Sequence, residues 1–185
     1  SQTDHTYNES GHYPLNVQVR DTLASISSAT RTVTVLNATT DESGSHDSQI
    51  AYMQDPAGNR IWVVNPDNDS VTVFDPGTDT MIAEYRTCGD PRSVAIDMNN
   101  YAWISCFDAD EILVLSATGQ RMGVIDLAYG AAPFGIVMNN DGSRALISLQ
   151  GAGELTLYDT SSQAELSRLP LGPSPCAIAL SQAGD

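Results

Sequence analysis

The 185-residue sequence contains no lysine, and its eight basic residues are all arginine. Against them stand 23 acidic side chains, for a formal net charge of −15. A surface this acidic repels phosphate backbones, which argues against a nucleic-acid partner. It also disfavours anionic membranes unless divalent cations bridge the two. Long hydrophobic runs are missing too, and none approaches the length of a membrane span. Histidine is confined to His5, His12 and His46, so a Ser-His-Asp triad cannot be assembled from residues 50–185. None of the three has a neighbour at metal-ligand spacing, and they read as surface residues. Cys-x-x-Cys, haem-attachment, His-Glu-x-x-His, phosphate-loop and Gly-x-Ser-x-Gly motifs are all absent. Cys88, Cys106 and Cys176 are odd in number and widely spaced, so they suggest no disulfide framework and no compartment.

What is present is turn and strand chemistry. Asp supplies 17 of the 23 acidic residues and favours turns over helices. Short runs rich in Val, Ile and Thr alternate with clusters of Asn, Asp, Gly, Ser and Pro, the composition of an all-β chain. With 41% hydrophobic residues the chain can bury a core. It opens on Ser1 without a signal peptide, so that residue reads as a cut made by processing, cloning or incomplete sequence.

Repetition decides the architecture. Gly89-Asp90-Pro91-Arg92-Ser93-Val94-Ala95-Ile96 is echoed by Gly130–Val137 and by Gly172–Ala179, and Pro91, Pro133 and Pro175 lie 42 residues apart, twice. Ile61-Trp62-Val63-Val64 aligns with Ala102–Ser105 and Ala145–Ser148. Ser70–Asp75 aligns with Glu111–Ser116 and Glu154–Asp159. Four short strands in a period of this length make a β-propeller blade. The blades are expected at about 50–90, 91–132 and 133–174, with 175–185 beginning another. Val94–Ile96, Phe134–Met138 and Cys176–Leu180 are nearly all apolar and are expected innermost. Trp62 and Trp103 share one strand position and are expected to pack between blades.

Ile61-Trp62-Val63-Val64-Asn65, followed by Asp69-Ser70-Val71-Thr72-Val73-Phe74-Asp75, resembles the YVTN-type propeller repeat of bacterial and archaeal surface-layer proteins. Cys106 and Leu149 depart from it where the first copy has Asn65. Residues 1–37 differ. Tyr13, Leu15, Val17 and Val19 alternate with Pro14, Asn16, Gln18 and Arg20, and a second strand is expected at Thr30–Leu36. With His5–Tyr13 ahead of them, they look like the C-terminal part of a PKD domain, an immunoglobulin-like sandwich. Residues 38–49 read as a polar linker.

In a blade, the hairpins between second and third strands share a face with the inter-blade loops. That face collects the candidate binding residues Asp67, Asp69, Asp90, Arg92, Asp108 and Asp110, with Gly151-Ala152-Gly153 at the equivalent position. The Asp67/Asp69 and Asp108/Asp110 pairs could hold Ca²⁺, although they lack a closing bidentate Glu. Tight hairpins alone account for them, and no other cofactor is expected. Arg92 could clamp a carboxylate or simply pair with a nearby Asp. The opposite face carries residues 55–60, 75–77 and 139–142.

The resemblance implies a non-catalytic extracellular, cell-surface or periplasmic module that presents loops to protein or glycan partners. The alternative is the propeller part of a larger lactonase-, quinoprotein- or cytochrome-fusion-like protein. Three blades form an open arc with unpaired flanks, so further blades of the same chain, or other copies of it, are expected to cover them.

Overall fold

A computed structural model describes residues 49–181 throughout, and residues 11–20 and 26–35 by their backbone. The expected linker, apart from Gln49, lies outside the described residues, as do His5 and His46. Strands β1 (Gly11–Arg20) and β2 (Ile26–Val35) pair antiparallel, with Tyr13 opposite Val33. They belong to a compact unit of residues 1–42, separate from the unit of residues 43–185.

The second unit contains three antiparallel four-stranded sheets. The first runs β3 (Ile50–Met53), β4 (Arg60–Asn65), β5 (Ser70–Asp75) and β6 (Thr80–Arg86). The second runs β7 (Pro91–Ile96), β8 (Ala102–Cys106), β9 (Glu111–Leu115) and β10 (Arg121–Asp126). In the third, β11 (Pro133–Met138), β12 (Arg144–Leu149), β13 (Glu154–Asp159) and β14 (Glu165–Pro170) follow the same order. These are the three expected blades, stepping at Pro91 and Pro133. A short 3-10 turn over Pro66–Asn68 is the one helical element among the described residues, and no helix there is long and apolar enough to cross a membrane.

Burial follows from blade position. Every residue of β8 is buried, because the middle blade has a neighbour on each flank. In β4 only Trp62 and Val64 are buried, and both face the second blade. The outer strand β14 is exposed along its whole length. Trp62 packs with Met53, Val71 and Val73 of its own blade and with Ala102, Ile104 and Leu113 of the next. Trp103 packs with Ile112 and Val114, and with Ile136, Ala145 and Ile147 of the third blade. Both indoles are fully buried, as wedges between sheets.

Polar clips accompany the apolar wedges. The buried Ser105 hydroxyl accepts the Ser93 N–H at 2.9 Å and donates to the Phe134 carbonyl of the next blade at 2.6 Å. Ser148 repeats this, accepting from Gly135 N–H at 2.9 Å and donating to the Cys176 carbonyl at 2.7 Å. In the first blade the equivalent residue is Val64. Ser105→Ala strands two buried backbone groups, so a loss of about 1–3 kcal/mol is expected in urea unfolding.

One expectation is corrected here. Cys176–Leu180 does not form a strand; only an isolated bridge occurs, at Ala179. The Ser148 clip holds the start of this segment beside β12, but among the described residues no neighbouring strand completes a ladder with it.

Candidate functional site

Strand ends and inter-blade loops build the face on which binding residues were expected. Asp69, Asp110 and Gly153 occupy one hairpin position, with φ of 50°, 52° and 71°. Their carbonyls receive the N–H of Thr87, Leu127 and Leu171, which follow the outer strands of the three blades. Asp tolerates this left-handed geometry better than most residues, which is the structural reason for Asp at two of the three sites. The residues preceding the inter-blade prolines, Asp90, Ala132 and Ser174, are also left-handed, with φ of 53°, 46° and 57°.

The carboxylates hold those loops. Asp69 accepts the Asp90 N–H at 2.9 Å. Asp110 accepts the Gly130 and Ala132 N–H groups, both at 2.7 Å. Asp90 in turn binds Arg92 through Nε, at 2.9 Å, and Nη2. The Arg92 guanidinium lies 5.1 Å from the Phe107 ring centroid and 5.8 Å from that of Phe134. Those rings meet edge to face at 6.4 Å. Cation–π contact and ion pairing together fix this arginine at the joint between the second and third blades. The structure thus joins Asp69, Asp90 and Arg92 in one chain of contacts and sets Asp110 to brace the next loop. Asp67 and Asp108 remain exposed, without a side-chain partner among the described residues.

A disulfide between Cys88 and Cys106 lies on the same face, with Cα atoms 5.6 Å apart. Spacing along the sequence did not reveal it, but the repeat contains the signal. The inter-blade loop runs beside the end of the second strand of the blade it enters. Phe107 N–H donates to the Asp90 carbonyl and Asp108 N–H to that of Gly89. Gln150 and Gly151 do the same to Ala132 and Ala131 in the third blade. Cys88 immediately precedes Gly89 and Cys106 immediately precedes Phe107, with Cys106 itself opposite Pro91, so both cysteines flank this pairing. A Glu111 carboxylate oxygen lies within 4.8 Å of both sulfurs, but their mutual bond leaves no thiolate to bind an ion.

The opposite face contains a cleft of about 370 Å³ where turns of all three blades converge. Tyr52 and Gln54 come from the first blade, Asp97, Met98 and Asn100 from the second, and Asn139, Asn140, Asp141 and Gly142 from the third. Asp97 is buried, and its carboxylate is fully used. Oδ1 accepts the Asn99 and Tyr101 N–H groups at 2.8 and 2.9 Å, and Oδ2 accepts Trp103 Nε1–H at 3.0 Å. By strand register Met53 takes the place of Asp97 in the first blade. Trp62 Nε1 is accordingly buried without a hydrogen-bond partner. Met98 N–H donates to the Gly142 carbonyl at 3.1 Å. Gly142 is required there: its φ is +71°, and a Cβ would lie 2.5 Å from Met98 N.

Several turn carboxyls sit below their ordinary range. The Ser161 hydroxyl, then the Ser162 N–H and hydroxyl and the Arg144 charge, lower Asp159. Asp141 is lowered by the Ser143 hydroxyl and N–H, and Asp55 chiefly by the Ala57 N–H. Lowered folded-state values stabilise above the unfolded pKa of roughly 4, and that stability is lost as pH falls through the folded values. Protonating free carboxylates relieves the −15 charge and acts the other way. The urea midpoint is expected to fall between about pH 5 and pH 3, with a shallower slope in Asp159→Asn. A midpoint that rises over this range would mean that charge relief wins.

No protein-family model matches the chain, and no curated protein matches its sequence. Solved structures with similar coordinates are β-propellers. The dihydro-heme d1 dehydrogenase NirN aligns over 70% of this chain and 29% of its own, with a TM-score of 0.63 and 22% identity. A Bacteroides uniformis protein assigned as a 6-phosphogluconolactonase aligns over 92% of this chain and 55% of its own, with a TM-score of 0.60 and 14% identity. Virginiamycin B lyase from Staphylococcus aureus aligns over 86% and 50%, with a TM-score of 0.56 and 15% identity. The chain therefore spans between 29% and 55% of the length of these three proteins. At such identities the likeness is one of fold: the second unit is part of a β-propeller.

Proposed function

We propose that the chain is a non-catalytic binding module of a protein outside the cytoplasm, with propeller turns as its contact surface. The observation that carries this reading is the use of the polar side chains. Four of the six candidate residues, Asp69, Asp90, Arg92 and Asp110, are spent on holding blades together. Residues 49–181 contain no histidine to serve as a base. The Cys88–Cys106 disulfide supports an oxidising compartment. The surface-layer YVTN repeat and the PKD-like hairpin resemblance are consistent with a cell-surface setting and with protein or glycan partners there.

A second reading, part of a larger enzyme, is favoured by the neighbours. The structures with the same fold include a lyase, a dehydrogenase and a protein assigned as a lactonase. Two measurements separate the readings. Purified chain incubated with a panel of lactones should open them no faster than buffer alone. Immobilised chain should retain one class from a panel of neutral and acidic oligosaccharides saturably. Ring opening proportional to chain concentration overturns the non-catalytic reading.

A further inference from the structure

We infer that the cleft formed by the first-strand turns of the three blades is a binding site for a neutral saccharide. The inference rests on the binding-module reading and assigns it a place and a ligand class. At about 370 Å³ the cleft falls within the size range of small-molecule sites. Its wall combines an aromatic ring with amides. Tyr52 is 52% exposed and Met98 57% exposed, so both present apolar surface to the cleft they line.

Beside them, the side chains of Tyr52, Gln54 and Asn100 have no hydrogen-bond partner among the described residues. A phenol and two amides offer both donors and acceptors, matching hydroxyls that donate and accept. An aromatic face with a polar tip suits the mixed apolar and polar faces of a pyranose.

The charge in the cleft excludes the other small-ligand classes. Asp141 contributes its one exposed carboxylate, which already accepts the Ser143 N–H at 2.9 Å, and that of Asp97 is buried and accepts three hydrogen bonds. With no basic residue in the lining and −15 on the chain, an anionic ligand is repelled. A single exposed carboxylate at the rim gives a cation little, because surface pairs contribute at most about 1 kcal/mol.

The turns are also set before any ligand arrives. Asp97 Oδ1 ties two backbone amides of its own turn, and the Gly142 carbonyl receives both Met98 N–H and the Thr160 hydroxyl. Little ordering is then left to offset binding.

The test is titration of the ¹⁵N-labelled 185-residue chain with cellobiose, maltose and N,N′-diacetylchitobiose, with spermidine and glucuronate as charged controls. At least one neutral sugar is expected to shift the Gln54 and Asn100 side-chain amides and the backbone amides of residues 98–100 saturably. Tyr52→Ala is expected to weaken that binding about tenfold, and Gln54→Ala to weaken it as well. Both positions are exposed, so the variants should fold like the parent. The absence of saturation by all three sugars overturns the assignment, as does saturation by spermidine or glucuronate instead. Sugar binding kept in Tyr52→Ala but lost in Asp67→Asn with Asp108→Asn moves the site to the other face; the cleft assignment then fails and the binding-module reading stands.

Discussion

Trp103→Ala is expected to lower the stability of the propeller unit by about 3–5 kcal/mol. The side chain is fully buried between the second and third blades, touching both sheets. Removing it deletes the largest apolar contact at that joint and leaves a cavity that two twisted sheets can close only in part. It also removes the donor to Asp97 Oδ2, and Asp97 organises the turn before β8 through the Asn99 and Tyr101 amides.

Trp62 separates these contributions. It is equally buried at the first joint, yet its indole N–H has no acceptor. Phe in place of Trp62 should therefore cost less than Phe in place of Trp103. The expected difference is about 1–3 kcal/mol, the penalty for a buried carboxylate oxygen losing its donor. Urea midpoints of the three variants measure all of this. A Trp103→Ala midpoint equal to that of the parent would rule out the wedge. Equal costs for the two Phe variants would assign the whole effect to packing.

The blade architecture was legible in the sequence because spacing alone encodes it. Prolines 42 residues apart, matched strand patterns and Asp or Gly at each hairpin register the sheets without any knowledge of contacts. Trp62 and Trp103 were legible as wedges for the same reason. The purpose of the hairpin carboxylates was less so. Asp69 and Asp110 look like ligands when only residue type is read, because an acceptor facing a backbone N–H some twenty residues later leaves no mark in local sequence. The split between Asp97 and Met53 was equally hidden, since the two turns differ in length and only strand register aligns them. The cleft combines residues from three blades, and no single repeat contains enough of it to announce a site. Cys176–Leu180 shows the converse limit. Its apolar pattern matches the repeat, yet among the described residues it forms only a bridge at Ala179.

Replacing both Cys88 and Cys106 by serine is expected to cost about 3 kcal/mol, the loop-closure entropy for a ring of roughly this size. The bond spans 18 positions and ties the loop entering the second blade to the end of β8. In the folded state that loop is already held, since Phe107 and Asp108 donate to the Asp90 and Gly89 carbonyls and Asp69 accepts from Asp90. The bond therefore acts mainly on the unfolded chain, by denying it conformations that the open loop would explore. Two consequences distinguish this from a local packing effect. The double variant should keep the native spectrum and the Trp103 environment while its urea midpoint falls. Its m-value should rise, because an uncrosslinked chain exposes more surface on unfolding. Thiol titration of the parent, denatured without reductant, should count one free cysteine, Cys176, and three after reduction. Three free thiols before reduction would mean that the bond is absent. An unchanged midpoint with the bond intact would show instead that the backbone pairing alone already sets the loop's conformation in the unfolded ensemble.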